Sequence, residues 1–570
     1  MSTLHWPHWP KGLARDLSVP QTDLYANVEI SAWRWPDKIF LIFYGATLTF
    51  AQFKRECEYL AGYLQRVCGV RKGDRVLLYL QNSPQFIITF YAILRAGGVV
   101  VPVNPMNRGE ELKHLVLDSG ARVAVAAQDL MVNVASQLGA GLDHLVVVCY
   151  RDYLDGRGQA GDSGVNRASA ENEHRAPDFV CAPRRDDLPP GAIAWATALE
   201  ARYLASERVT HVDDLCVMPY TSGTTGNPKG CMHTHRSVMH NAVAPLTWFG
   251  TPNDTVFLAA LPLFHVTGMQ GSMNGPLYLG ASVVILARWD RTTALHAIER
   301  YRVNALSLIA AMVVDLLAHP ELESFDLSSV QRINGGGAAM PEAVAARLYD
   351  LLGLHYVEGY GMTETIAPSH LNPPDRPKRQ CLGIPFVGID ARVIDPTSLE
   401  ELPQGETGEI IVHGPPVMQG YWNQPEATAQ AFIEREGKRF LRTGDLGRVD
   451  EDGYFFMVDR LKRMINASGF KVWPAEVEAL LYAHPAIHEA CIIAAPDSIR
   501  GETVKAVVVL RPGWTGQVDE QAIIGWAREH MAAYKVPRQV SFVETLPKSG
   551  TGKVQWRLLQ DQERERARAT

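Results

Sequence analysis

Tyr220-Thr221-Ser222-Gly223-Thr224-Thr225-Gly226-Asn227-Pro228-Lys229-Gly230 is the stretch that decides the fold. Only Tyr220 has a bulky ring; every other residue is glycine, proline, lysine, or small or polar. The apolar segment Leu215-Cys216-Val217-Met218 leads in, and Val238 to Trp248 follows with helical character. Such a loop adds nothing to a core. It presents hydroxyls, glycine amides and one ammonium, the groups that cradle a phosphate chain. It is not the common nucleotide loop, because no glycine is followed at the required offset by Gly-Lys-Ser/Thr. The bland alternative is a surface loop, which seldom combines so many threonines and glycines with a lysine.

Outward from this loop, short apolar strands alternate with amphipathic helices. Strands are expected at 75–79, 98–102, 123–127, 145–149, 256–260, 282–286 and 305–308, and helices at 85–96, 108–119 and 293–301. That alternation predicts an α/β fold whose sheets are largely parallel and covered by helices. Residues 151–190 are charged and rich in Gly, Ser, Asn and Asp, and are read as an exposed insertion. From Gly383 to Asp459 turns become frequent, as in a β-rich subdomain. A compact α+β unit closes the chain, with helices over 474–482 and 520–532, strands over 490–494 and 504–510, and a frayed end from Asp561.

A chain of 570 residues exceeds what one core supports, so at least two domains are expected. The boundary is placed between 459 and 460, giving a large domain over 1–459 and a small, mobile one over 460–570. The net charge of −7 gives no general pull toward nucleic acid, so any anion site must be locally basic. The eight cysteines form no Cys-x-x-Cys pair, which disfavours zinc and redox motifs and suits reduced thiols in the cytoplasm. No apolar run approaches a membrane span. Trp6 and Trp9 are read as a packed N-terminal arm, with weak peripheral membrane contact as the lesser alternative.

Three further strings carry chemistry. Glu358-Gly359-Tyr360-Gly361-Met362-Thr363-Glu364-Thr365 flanks a flat ring with glycines and then offers a hydroxyl and a carboxylate. Arg442-Thr443-Gly444-Asp445 and Asp459-Arg460-Leu461-Lys462 supply an aspartate able to accept both hydroxyls of a ribose and an arginine to donate beside it. Leu546-Pro547-Lys548-Ser549-Gly550-Thr551-Gly552-Lys553 puts a lysine on a glycine-rich turn. In isolation each has a bland reading: a tight turn with a solvated glutamate, a surface ion pair, a surface lysine. Upstream, Asn334 to Pro341 runs glycines into the helix 342–352, without dinucleotide-fingerprint spacing.

These strings, in this order, resemble the acyl-adenylate-forming (AMP-binding) enzymes, which include acyl-CoA synthetases, luciferases and peptide-synthetase adenylation domains. The resemblance spans nearly the whole chain and points to the fatty-acid–CoA ligase branch. It implies that Thr221, Ser222, Gly223, Thr224, Thr225, Gly226 and Lys229 hold the phosphates of ATP, and that Thr225 and Glu364 hold Mg²⁺. Tyr360, framed by Glu358, Gly359 and Gly361, would stack on adenine, and Thr363 would contact the α-phosphate. Gly336, Gly337 and Ala338 would face adenine and the acyl chain. Asp445 and Arg460 would take the ribose. Lys462 falls at the family's hinge, Gly469 and Phe470 match the pair lining its pantetheine tunnel, and Lys553 would bridge the carboxylate and α-phosphate. His265, Thr267, Gly268, Met269 and Met362 would line the acyl side. Amino-acid-activating relatives carry aspartate where His265 stands, so an α-amino acid is disfavoured. Two departures are the long 151–190 insertion and Ala310-Ala311-Met312 in place of a proline-containing run.

The implied activity is conversion of an apolar carboxylic acid, ATP and CoA into acyl-CoA, AMP and pyrophosphate, with a medium- to long-chain fatty acid favoured. An aryl acid and transfer to an acyl carrier protein stay open, although the chain shows no appended carrier domain. A luciferase-like oxygenase and a non-catalytic nucleotide sensor are weaker alternatives; a sensor would need neither the lysines nor a metal ligand. Either a monomer or a dimer is compatible.

Overall fold

A computed structural model describes residues 4–154, 176–221, 228–463, 465–467, 470–497, 501–548 and 554–569. Two large sheets form the N-terminal part. The first is seven-stranded, in the order Ala192–Ala194, His144–Val148, Val123–Ala127, Arg75–Tyr79, Val99–Pro102, Leu215–Val217 and His233–Thr234. Its strands pair in parallel except for the last two, which are antiparallel. Val123–Ala127 is buried at every position, as a parallel strand covered on both faces must be.

The second sheet is nine-stranded and pairs Val256–Ala259, Ala305–Ser307, Arg332–Gly336 and Tyr356–Tyr360 in parallel. Gly335 lies opposite Glu358 and Gly336 opposite Gly359, so two glycine-rich strand ends emerge side by side. The carboxyl ends of parallel strands are where ligands of open α/β sheets sit. A five-stranded antiparallel sheet follows, built from Asp390–Ile394, Gly408–His413, Phe432–Arg435, Lys438–Val449 and Phe455–Arg460. After the short turn Leu461–Arg463 the chain enters another five-stranded sheet, which carries the helices Pro474–Leu481 and Glu520–His530.

The structure departs from the sequence reading at two places. The end of the chain is a helix, Trp556–Ala569, where fraying was expected. Its mixed charge hides a stripe at helical spacing. Gln560 exchanges hydrogen bonds with the backbone of Ala494 (2.8 and 2.6 Å), and Glu563 pairs with Lys505 at 2.7 Å. The second is the expected exposed insertion, 151–190, of which residues 155–175 lie outside the described residues. Its flanks are anchored, with Val180 fully buried, Tyr153 and Leu154 in the core, and Arg184 paired to Asp152 at 2.8 Å. A few apolar anchors inside a polar composition were enough to hide this packing.

Tyr153 donates a hydrogen bond to Glu56, whose carboxyl is fully buried and pushed up to about 8 by desolvation. Among the described residues the other oxygen of Glu56 has no hydrogen-bond partner. Tyr153→Phe should therefore lower stability in urea unfolding by about 1–3 kcal/mol, the cost of leaving a buried polar group unsatisfied. Turnover should stay unchanged; a variant as stable as the parent would contradict this assignment.

The N-terminal arm packs through Trp9, while Trp6 is exposed. Trp9 meets Trp248 edge-on at 4.9 Å, and Arg15 lies 4.0 Å from the ring of Trp6. Among the described residues no helix is long and apolar enough to cross a membrane. Burial lowers His5 and His233 to about 4 and His370 to about 3. The unfolded chain protonates these groups near pH 6.5, whereas the folded chain does so only below about 4. Their contribution is thus fully present above pH 6.5 and is lost as pH falls toward 4, each group by about 1.4 kcal/mol per pH unit. Urea midpoints measured between pH 7 and 4.5 should fall steeply, and a flat profile would contradict neutral burial.

Candidate active site

The two glycine-ended strands deliver Tyr360 to the rim of the second sheet. Its hydroxyl donates to Asp445 Oδ2 at 2.6 Å, while Arg460 Nε lies 3.1 Å from Asp445 Oδ1. The antiparallel register that sets Asp445 opposite Arg460 brings these distant residues together. Asp445 is 2% exposed, yet a carboxylate has about four lone-pair sites, so two remain for further donors. Burial, and then the Asp445 charge, push the Tyr360 phenol well above its usual range, which keeps it a donor.

Thr363–Thr365 is a single tight turn, followed by Ile366 (φ 47°) and Ala367 (φ 61°). A β-branched residue in the left-handed region is strained and persists only where its surroundings impose it. The helix His235–Trp248 imposes it here: Asn241 Nδ2 lies 3.1, 3.1, 2.6 and 3.3 Å from the carbonyls of residues 365 to 368. His233 Nε2 meets the Thr363 carbonyl at 2.8 Å. Glu364 is buried at this turn. Desolvation raises its pKa, and the Tyr421 hydroxyl, donating to Oε1 at 2.8 Å, works against that rise.

The two ends of the loop 220–230 pair with each other. Tyr220 bridges to Gly230, and Thr221 N donates to the Lys229 carbonyl at 2.9 Å. Tyr220 is anchored through its hydroxyl to Asp118 at 2.6 Å. The Lys229 ammonium stands 4.8 Å from the centre of the Tyr421 ring. Ser222, Gly223, Thr224, Thr225 and Gly226 lie outside the described residues, as do Gly469 and Lys553. Lys462 sits in the turn Leu461–Arg463 between two sheets, and Phe470 opens the strand Phe470–Val472. Next to that turn, Asp459 accepts from Ala475 N at 2.6 Å, so the last strand before the turn is tied to the first helix after it.

On the acyl side, His265 caps the short helix Val266–Met269, its Nδ1 accepting from Thr267 N at 3.4 Å. His265 and Thr267 are half-buried. Gly268 has a packing role, since an added Cβ would sit 2.3 Å from the Pro262 carbonyl oxygen, and Met269 is wholly buried in the core. Gly336 likewise allows close approach of the Gly359 carbonyl, which would lie 2.3 Å from a Cβ. Gly337 and Ala338 are exposed, and Met362 packs beside Cys231 and Met418. The Glu358 carboxylate is engaged inside the protein, where Oε1 accepts from Met340 N at 2.8 Å and braces the glycine loop from below.

Sequence reading missed Asn241, His233 and Tyr421. The signal for Tyr421 was faint: aromatic residues after a glycine in Gly420-Tyr421-Trp422-Asn423. Glu364 fits a hard divalent cation, because Tyr421 engages Oε1 and a carboxylate keeps capacity for more partners. Among the described residues no group of three or more His, Cys, Asp or Glu side chains converges on one point. Mg²⁺ takes one or two carboxylates and completes its shell with phosphates and water.

The AMP-binding enzyme family model matches residues 28–422, and the AMP-binding enzyme C-terminal domain matches residues 476–553. A long-chain-fatty-acid–CoA ligase of Bacillus subtilis (strain 168) is 34% identical over 566 residues, covering 98% of this chain and 97% of that protein. A feruloyl-CoA synthase of an Amycolatopsis species is 37% identical over 514 residues, covering 90% and 93%. Among solved structures, ATP-bound MatB from Rhodopseudomonas palustris superposes with a TM-score of 0.79 at 28% identity, covering 95% of this chain and 99% of that one.

Proposed function

This chain belongs to the AMP-binding enzyme family as an ATP-dependent acid–CoA ligase that forms AMP, and from that premise we propose that its acid is a medium- to long-chain fatty acid. The observation that carries this reading is His265, half-buried and held as a helix cap beside Thr267, where an amine-binding site would need a carboxylate. An ammonium left unpaired beside it would cost several kcal/mol. The full-length similarity to a long-chain-fatty-acid–CoA ligase supports the same class. An aryl acid is the second reading, favoured by the 37% identity to a feruloyl-CoA synthase.

In the proposed reaction the fatty carboxylate attacks the α-phosphorus of ATP, the bond to the bridging oxygen breaks, and pyrophosphate leaves. Asp445 and Arg460 hold the ribose and Tyr360 the adenine, so the α-phosphate presents itself at Thr363. Lys229 and Lys553 offset the charge that builds on the phosphates. Mg²⁺, held at Glu364 and Thr225, would add charge neutralisation of the same kind. The C-terminal part then turns about Lys462, withdraws Lys553, and admits pantetheine past Gly469 and Phe470. The CoA thiol attacks the acyl carbon, a thioester forms, and AMP departs. The eight cysteines are all free thiols, in keeping with a cytoplasmic enzyme.

Rapid quenching of enzyme, palmitate and Mg-ATP without CoA should trap about one equivalent of acyl-adenylate and of pyrophosphate. Added CoA should discharge it to palmitoyl-CoA. Pyrophosphate release that waits for CoA would contradict this order.

A further inference from the structure

The segment 418–422 of the β-rich part joins the phosphate loop to the Glu364 turn. On one side it pairs with the strand leaving the loop: Trp422 N donates to the Gly230 carbonyl at 2.8 Å, Met232 N to Gly420 at 2.9 Å, and Gln419 N to Met232 at 2.9 Å. On the other side it grips Glu364 twice, through Met418 N to the Glu364 carbonyl at 2.8 Å and through the Tyr421 hydroxyl to Oε1 at 2.8 Å. The face of the same phenol receives the Lys229 ammonium at 4.8 Å. Tyr421 N is itself fixed by Thr428 Oγ1 at 2.9 Å.

We propose that Tyr421 is a positioning residue for ATP activation, setting the Glu364 carboxylate and the Lys229 ammonium relative to each other. Donation to a carboxylate polarises the phenol and enriches its ring, which strengthens the hold on the ammonium. One side chain thereby orders both formal charges, leaving Glu364 oriented for the cation and Lys229 extended toward the phosphates. Partners of this kind tune a metal site nearly as strongly as its ligands do. The inference rests on the assignment of Mg²⁺ to Glu364 and of the phosphates to Lys229.

Three variants, Tyr421→Phe, Tyr421→Leu and Glu364→Gln, test it. Mn²⁺ binding to the enzyme with a non-hydrolysable ATP analogue is read by electron paramagnetic resonance, beside the two half-reactions and the thermal midpoint. Tyr421→Phe keeps the ring and loses the donor. It should weaken Mn²⁺ binding and raise the Mg²⁺ needed for half-maximal pyrophosphate release by about 10-fold, with thioester formation from supplied acyl-adenylate unchanged. Tyr421→Leu should additionally raise the half-saturating ATP concentration by roughly fivefold, as Lys229 loses its platform. Loss of Mn²⁺ binding in Glu364→Gln with none in Tyr421→Phe overturns the role of Tyr421 and leaves the metal assignment intact. Unchanged Mn²⁺ binding in Glu364→Gln removes that assignment and the proposal with it. Equal loss of both half-reactions in Tyr421→Phe, or a lowered thermal midpoint alone, marks a purely structural role and also overturns it.

Discussion

Lys553→Ala should lower adenylate formation by about 10²–10³-fold while sparing thioester formation from supplied acyl-adenylate. The lysine follows Ser549-Gly550-Thr551-Gly552, and in the proposed mechanism it is needed only while negative charge builds between the carboxylate and the α-phosphate. Once the mixed anhydride exists, the thiol needs an open path and no cation at that point. Single-turnover assays of the two half-reactions separate the possibilities. An equal fall in both would remove domain alternation from the mechanism.

The second large effect is expected at Asp445, which holds Tyr360 and Arg460 and keeps acceptor capacity for a ribose diol. Asp445→Ala removes a charged acceptor, and hydrogen bonds to such groups contribute about 1.5–3 kcal/mol each. With two ribose hydroxyls at stake, the half-saturating ATP concentration should rise by about 10²-fold or more. Nucleotide analogues identify the cause. The parent enzyme should bind 2′-deoxy-ATP more weakly than ATP, and Asp445→Ala should bind both alike. A variant that still prefers ATP would place the ribose elsewhere. Part of the effect will appear as lost stability, because the Tyr360 hydroxyl loses its acceptor.

The fold was legible where burial alone sets the pattern. Val123–Ala127, buried on both faces, reads as a continuous apolar run, and Glu342–Leu352 ends at Gly353, whose φ of 67° is the left-handed stop expected there. The charge-rich segments were less legible, since Gln560 and Tyr153 act through a few buried contacts that composition averages away. In the site, the motif residues expected to meet ligands stand out in the sequence, because phosphates and rings demand particular chemistry at close spacing. Residues that hold them were not. Asn241 acts on carbonyls more than 120 positions away, and Tyr421 reaches back 57 positions to Glu364. Only tertiary packing creates those roles, through helix His235–Trp248 for Asn241 and through the β-rich part for Tyr421.

Which acid the cleft takes decides the substrate class of the enzyme. Palmitate, octanoate, ferulate and phenylalanine, supplied together at equal concentration with ATP and CoA, compete in proportion to kcat/KM. Palmitate or octanoate should be consumed first and phenylalanine not at all, since its ammonium would face His265 in place of a carboxylate. Preferential consumption of ferulate would move the enzyme to the aryl-acid class, and consumption of phenylalanine ahead of the fatty acids would contradict the assignment of the acyl side to His265 and its neighbours.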